Sequence, residues 1–503
     1  MSPTADAREQ DAVHNAGRLF VMRGLHAAGA VLFAAVVPRL MGPEGYGQVA
    51  LLVSLSMWFT IAADLGFTEV LVREAPRCER EREPRALMLL FGRLLAVRTA
   101  AGLVTAALYL LATSTWLSDL DGCAVGLLAA AVFVRAPADL CFSLHLGQNR
   151  AARWGLEDVL RLWGNLALML PGFLLGGLRG AALGVLLLEV AIATVGLVSV
   201  RAHLAWTTPR WELAGLGPYL RFGLLFYGVH LTTAAFESSG EVLLRAFHGD
   251  YAHIAFFRVA YSAYALAASV IIWTTFAFAP LLSALHLEHD REAIRRWLER
   301  ISQWLGIGCT MTLLAAVLVA DDLVPLVFGQ AFRPVAQGVT VLTAGLFAVA
   351  LSSIANLAAL GYGRGGVVLG ASVVQVAVFW LLGPLLVSNY GWLGAALGVL
   401  CALVAQAVFS TVANQARAGY SLGAWLRVVL LGVLFLPLGL VRASALVDAS
   451  LLGFALVGYV VVLWLLRLVT SEDLSSLVAA LGRSVGRSGV AAMATVAQQE
   501  GRA

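Results

Sequence analysis

An all-α, polytopic membrane protein with about fourteen transmembrane helices is predicted by three properties of the sequence. Of its 503 residues, 60% are hydrophobic and 13% charged, and the mean hydropathy is +0.84. Soluble domains carry about 25% charged residues. Apolar runs of the roughly 20 residues that a helix needs to cross a bilayer follow one another almost without a break. The arginines between those runs are abundant in every second connection and sparse in the others, the alternation that the positive-inside rule demands.

The polar segment 1–18 opens the chain, and the apolar run after it has no small-residue cleavage site, so it reads as a retained helix with a cytoplasmic N-terminal segment. Loop residues place spans near 19–39, 48–70, 87–112, 123–144, 157–177, 180–200, 221–244, 253–280, 301–320, 336–360, 366–388, 392–414, 425–441 and 449–468. The expected organisation is an N-lobe of six spans (19–200), a cytoplasmic linker (201–220), a C-lobe of six spans (221–414), two further helices (425–468) and a loose cytoplasmic tail (469–503). With the N-terminus inside, the cytoplasmic connections hold sixteen arginines, among them Arg73, Arg77, Arg150, Arg201, Arg291 and Arg364, and the opposite connections hold four: Arg39, Arg179, Arg333 and Arg442. The termini add six more inside, and a miscounted helix would break the alternation. The connection 73–86, VREAPRCEREREPR, reads as a solvated, salt-bridged turn, and HLEHDREAIRRWLER at 286–300 as an amphipathic helix along the inner membrane surface.

Several function classes fall away on composition. All 34 basic residues are arginine, so no lysine is available for a Schiff base or a phosphate loop, and a net charge of +4 is too small to suggest nucleic acid. Cys78, Cys123, Cys141, Cys309 and Cys401 have no CxxC spacing and read as small apolar residues, with no disulfide or metal site. No Gly-rich phosphate loop or Ser/His/Asp setting is present, and neither a catalytic group nor a cofactor is expected. Asp119-Leu-Asp121 lies in a short loop without the domain that a sugar-nucleotide motif requires. His26 and His230 read as helix-packing residues.

An internal repeat is visible. GAALGVLLLEVAIATV from Gly180 matches GAALGVLCALVAQAVF from Gly394 at an offset of 214, and MGPEGYGQVALLVS around Tyr46 resembles FHGDYAHIAFFRVA around Tyr251 at an offset of 205. Both equate spans 1–6 with 7–12. Six is even, so the halves would share orientation about an axis along the membrane normal, with a pathway between them. The Gly180–Gly184 and Gly394–Gly398 pairs would let helices approach closely.

Charges inside spans are the remaining signal. Eight arginines fall there: Arg23, Arg93, Arg98, Arg135, Arg161, Arg221, Arg245 and Arg258. Facing lipid, each would cost about 2.5–3.5 kcal/mol, so they should face the interior or snorkel. Arg161 and Arg221, near cytoplasmic ends, read as snorkelling. Arg135 with Asp139, and Glu241 with Arg245, have the i,i+4 spacing of self-neutralising pairs. Asp64 and Glu189 have no such neighbour and need a partner on another helix or a proton. A cavity lined by guanidinium groups suits a phosphate-bearing ligand.

Residues 37–77, VPRLMGPEGYGQVALLVSLSMWFTIAADLGFTEVLVREAPR, resemble the first two helices of the polysaccharide (O-antigen or oligosaccharide) flippases of the multidrug/oligosaccharidyl-lipid/polysaccharide exporter superfamily. The segment 241–264 is similar to their helix 7–8 region, with Glu241 where the family usually has Asp. VPLVFGQAFRPVAQG at 324–338 and ANLAALGYGRGG with NYGWLGAALG extend the resemblance to residue 415. It implies two six-helix lobes in parallel pseudo-repeat around a central cavity, plus two C-terminal helices. It also implies translocation of an undecaprenyl-diphosphate-linked oligosaccharide across the bacterial cytoplasmic (inner) membrane by alternating access. The process served would be lipopolysaccharide, O-antigen or exopolysaccharide biosynthesis, with an ion gradient as driving force and a polysaccharide polymerase among the partners. On this reading Arg23, Arg98, Arg135, Arg245 and Arg258 are expected to bind the diphosphate, and Asp64, Glu189, Glu237 and Glu241 to couple an ion. A lipid-II-type or teichuronic/exopolysaccharide exporter is an alternative cargo assignment. A drug–cation antiporter would call for an acidic cavity, and a membrane polymerase or ligase for a large outer loop.

Overall fold

The computed structural model describes residues 5–81, 83–148, 150–201, 216–278, 282, 285, 290–361, 364–418, 421–440 and 444–469. Most of the expected linker and tail, 202–215 and 470–503, lies outside the described residues. Every regular element among them is helical: α1 (Ala5–Ala62), α2 (Phe67–Glu81), α3 (Pro84–Trp116), α4 (Gly122–Gly147), α5 (Ala151–Gly164) running through a π turn (Asn165–Met169) into α6 (Leu170–Arg201), α7 (Gly217–Glu237), α8 (Ser239–Phe247), α9 (Tyr251–Ala277), α10 (Arg291–Phe328), α11 (Val335–Ala344), α12 (Leu346–Gly361), α13 (Gly365–Ala418), α14 (Gly423–Val433) and α15 (Ala445–Leu465).

Nine helical segments among the described residues are long and apolar enough to cross a membrane. Three of these hold two spans each, divided at a glycine: Gly42 in α1, Gly176–Gly177 in α6 and Gly391 in α13. At the second break, a Cβ on Gly172 would lie 2.2 Å from the Gly180 carbonyl oxygen, and one on Gly184 would lie 2.4 Å from that of Leu168. Pairs that nest in this way belong to antiparallel segments, so the chain reverses there. Dividing the three long helices, and adding the broken α7–α8 helix and α14 with its 3-10 turn, reproduces the fourteen spans. Leu175, Leu381 and Leu446 on these spans are 90%, 77% and 80% exposed, a surface that only lipid tolerates in quantity.

The internal repeat holds at the level of the backbone. Gly177 has φ 59° and ψ −142°, and Gly391 has φ 58° and ψ −136°. They stand 214 residues apart, the offset of the repeated Gly-Ala-Ala-Leu-Gly-Val-Leu run. A positive φ with this ψ is open only to glycine without strain. The second repeat pair meets at the interface between the halves. Gly47, beside Tyr46, abuts Tyr251, and a Cβ there would lie 1.9 Å from the Tyr251 carbonyl oxygen. Elements that contact their own repeat equivalents are those nearest a two-fold axis.

Two local expectations change. The connection 73–86 is helical in its first part, as α2, with Arg77 pairing to Glu81 at 3.1 Å; its ion pairs along one face favour a helix over an open turn. From Arg291 the amphipathic segment runs straight into span 9 as the first turns of α10, capped at Asp290, instead of forming a separate surface helix. The continuous helix satisfies its backbone internally, which a break would not.

Candidate functional site

The charged residues of the N-terminal half converge in one network. Arg98 on α3 donates to Asp64, which lies in the turn after α1, and approaches Asp139 on α4 at 3.8 Å. Thr68 adds a 3.3 Å hydrogen bond to Asp64. Arg161 is the hub. Its Nε and Nη2 donate to the two carboxylate oxygens of Glu189 on α6 at 2.9 and 3.1 Å, Nη1 to Glu157 at 3.1 Å, and Nη2 to Asp139 at 2.9 Å. Arg135 lies 3.5 Å from Asp139, the i,i+4 pair that the sequence predicts. Asp139 and Glu157 thus share the Arg161 guanidinium. A buried charge without such partners would cost several kcal/mol.

Arg161 therefore does not snorkel; the π turn that follows α5 and the reversal at Gly177 bring α6 alongside, so Glu189 faces inward beside it. Glu157 was missed by sequence reasoning. It stands four residues before Arg161, and the spacing rule applied to Arg135 and Asp139 would have found it. Glu241 and Arg245 do not pair. The chain breaks at Ser238 between α7 and α8, and Glu241, fully buried, pairs with Arg258 on α9 at 3.0 Å. Arg23 pairs with Asp158 at 3.2 Å and lies over the Trp154 ring, and Arg98 is enclosed by its carboxylates. The five arginines expected to share one cavity are thus spread over several places.

Two of the cavities formed by the described residues are lined by sequence-predicted site residues. The first, about 160 Å³, lies in the N-terminal half, with Arg258 reaching it from α9, and is lined by Arg135, Arg161, Asn165, Glu189 and Tyr46 among others. Four of the donors of Arg161 are engaged by carboxylates, whereas Arg135 directs Nε at Asp139, 3.5 Å away, and Arg258 donates Nη1 to Glu241, and neither guanidinium makes a further hydrogen bond to a carboxylate among the described residues. Guanidinium offers five donors in a plane. The second cavity, about 400 Å³, belongs to the C-terminal half and is lined by α7, α9, α12 and α13; Glu237 faces it.

The halves also touch at both ends of the interior. At the arginine-rich end, Gly66 lies against the Gly223 backbone, His230 and Glu69 are 2.8 Å apart, and Arg73 lies 3.9 Å over the Phe222 ring. His230 is therefore a contact between halves and not a packing residue within one. Asp64, Glu69 and His230 bring ligand-type atoms within 4.8 Å of one another, but Asp64 is already matched by Arg98. At the opposite end, Asp119 accepts from Arg245 at 2.5 Å and from the Tyr251 hydroxyl at 2.8 Å, and Arg39 donates to the Leu326 carbonyl at 3.0 Å.

Desolvation works against the ionised form of Asp119, but the hydrogen bonds from Tyr251 and Arg245 outweigh it and hold the carboxyl below the usual carboxylate range. A depressed folded-state value means that the contact contributes in full above the ordinary Asp value of about 3.9 and is lost only as pH falls through the lower value. Thiol labelling of the interior from this end, taken relative to an always-accessible cysteine so that thiolate formation cancels, is therefore expected to be flat between about pH 5 and 8, and Asp119→Asn to raise it several-fold at every pH. A wild-type protein that opens on mild acidification would contradict the assignment.

Known proteins match this geometry. The family model described as polysaccharide biosynthesis protein matches residues 12–286. The lipid II flippase MurJ in an inward closed conformation aligns at 12% identity with a TM-score of 0.65, covering 90% of this chain and 98% of that one. An inward-facing multidrug resistance MATE family transporter of the MOP superfamily aligns at 17% identity with a TM-score of 0.64, covering 80% and 98%. A eukaryotic MATE transporter, AtDTX14, aligns at 14% identity with a TM-score of 0.54, covering 83% and 99%. No curated protein sequence matches this chain. These structural alignments show a fold shared with those transporters. The family model spans more than half of the chain, and on that ground this multi-pass membrane protein belongs to the polysaccharide biosynthesis protein family.

Proposed function

We propose that the protein is a flippase that carries a polyprenyl-diphosphate-linked oligosaccharide across the cytoplasmic membrane by alternating access, with both termini cytoplasmic. The observation that carries this reading is the convergence of Arg135 from one half and Arg258 from the other on a single cavity, each with guanidinium nitrogens that no carboxylate among the described residues hydrogen-bonds. A diphosphate presents paired oxygens in the geometry that guanidinium binds bidentately. Bridging the two halves, it would bind most tightly when the cavity is closed around it, which is how a ligand selects one conformation over another. The prenyl chain would remain in the bilayer throughout. A cation carrier would leave this pair of guanidiniums unexplained.

Coupling is assigned to the Asp139–Glu157 pair. The network sets four carboxyl groups (Asp64, Asp139, Glu157 and Glu189) against three guanidiniums (Arg98, Arg135 and Arg161), so one proton brings it to neutrality, and Asp139 and Glu157 share Arg161, which also holds Glu189 on α6. Arg161, Arg135 and Arg98 face that proton site from α5, α4 and α3, with Glu189 facing it from α6. Loss of the proton would leave this network one charge more negative and loosen its hold on the closed arrangement.

The test is lipid-linked oligosaccharide translocation in proteoliposomes. Arg135→Lys and Arg258→Lys keep the ion pairs but lose the planar fork, so translocation is expected to fall roughly 10- to 100-fold, the worth of a charge-assisted hydrogen bond or two. Glu157→Gln is expected to abolish acceleration by an imposed pH gradient. Full activity in the Arg135→Lys/Arg258→Lys double variant would remove the basis of the assignment.

A further inference from the structure

The 400 Å³ cavity of the C-terminal half takes no part in phosphate binding as described above. We propose that it is the subsite for the saccharide residue joined directly to the diphosphate, an inference that rests on the flippase reading and deepens it.

The walls carry the chemistry of sugar recognition. Glu237 on α7, Ser352 and Asn356 on α12, and Gln375 on α13 converge there, and no arginine lines it among the described residues. Glu237 and Gln375 make no hydrogen bond or ion pair among the described residues, so their polar atoms stand open to the cavity. Polar groups in membrane-spanning helices cost free energy unless matched. A sugar supplies the match: its hydroxyls donate to the carboxylate, which can only accept, and both donate to and accept from the amides. Tyr261 and Tyr264 line the same space with ring centroids 5.5 Å apart, giving surface for the C–H faces of a pyranose.

Position supports the assignment as well as composition. One helix serves both cavities, since α9 presents Arg258 to the first and Tyr261 and Tyr264 to the second. At 1.5 Å rise per residue, Tyr261 lies about 4.5 Å along the axis from Arg258. That is the scale of a single phosphate-to-sugar linkage. The first cavity, at about 160 Å³, is below the ~300–1,000 Å³ of typical small-molecule sites, and the second is within it. A diphosphate in the smaller and a sugar in the larger agrees with both volumes.

The experiment measures equilibrium binding to the full chain in nanodiscs. The probes are undecaprenyl diphosphate and its glucosyl, galactosyl and N-acetylglucosaminyl derivatives. At least one sugar-bearing lipid is expected to bind roughly tenfold or more tightly than the bare diphosphate. Glu237→Gln with Gln375→Leu is expected to erase that increment while leaving affinity for undecaprenyl diphosphate unchanged. Ser352→Phe, which fills the cavity from another helix, gives the same discrimination if the double variant does not survive purification. Equal affinity of the wild type for all four probes, or an increment that persists in the variants, would overturn the subsite. Failure of the wild type to bind undecaprenyl diphosphate would overturn the flippase reading itself.

Discussion

Arg161→Leu is expected to abolish accumulation of folded protein. Its guanidinium is held by Asp139, Glu157 and Glu189, drawn from three helices. Glu189 and Glu157 are nearly inaccessible, so neither can turn to water when its partner goes. Removing one partner of a buried ion pair costs about 3–5 kcal/mol because the other charge stays buried and uncompensated. That is a large part of the total for a protein whose net stability is of order 5–15 kcal/mol. Detergent-extracted yield and thermal melting by size-exclusion chromatography would show it. Arg161→Leu combined with Glu189→Leu is expected to recover part of the loss, since one stranded carboxylate goes with the arginine, and the coupling between the two sites would appear in a double-mutant cycle. A single variant that melts like the wild type would show that this network contributes little to the fold.

The second large effect is conformational. Gly47→Ala and Gly66→Ala are expected to hold opposite ends of the molecule open. At Gly47 the added methyl would meet the Tyr251 carbonyl at 1.9 Å, and at Gly66, where φ is +72°, it would meet that of Gly223 at 2.0 Å. Both neighbours are backbone, so no rotamer change relieves the clash. Both belong to the other half of the molecule, so the halves can separate at that end without unfolding either. Overpacking of about 1–3 kcal/mol corresponds to a shift of roughly 5- to 150-fold in the balance of states. A cysteine placed at Ser352 in a background free of the native cysteines reports it through impermeant thiol reagents applied to either side. Labelling should rise from the Asp119 end in the Gly47 variant and from the α2 end in the Gly66 variant. The same side in both variants would refute a two-ended closure.

Part of the charged site is legible from spacing. Arg135 and Asp139 share a helix, and a helix repeats every 3.6 residues whatever surrounds it, so their proximity follows from numbering. The same rule suggests Glu241 with Arg245 and fails although both lie on α8, because each finds a partner on another element: Arg258 for one and Asp119 for the other. Arg161 looks like a residue at the edge of a span because local sequence cannot show that α6 folds back beside α5. Asp64 and Glu189, without a partner in their own helices, find Arg98 and Arg161 on others.

Composition, hydropathy and the repeated runs at Gly180 and Gly394 by themselves determined the membrane location, the succession of spans and the repeat, whereas the paired reversals at Gly177 and Gly391 are visible only in the backbone. The former follow from the cost of exposing apolar groups to water or backbone groups to lipid, and that cost acts on each segment alone. Only the tertiary structure decided which arginines are consumed by carboxylates and which keep donors for a ligand. The same was true of the separation of an arginine-bearing cavity from a hydroxyl- and amide-lined one. The reason is that a buried charge is satisfied by whatever lies within a few ångströms of it, and in a bundle of fourteen spans those neighbours come from helices distant in sequence.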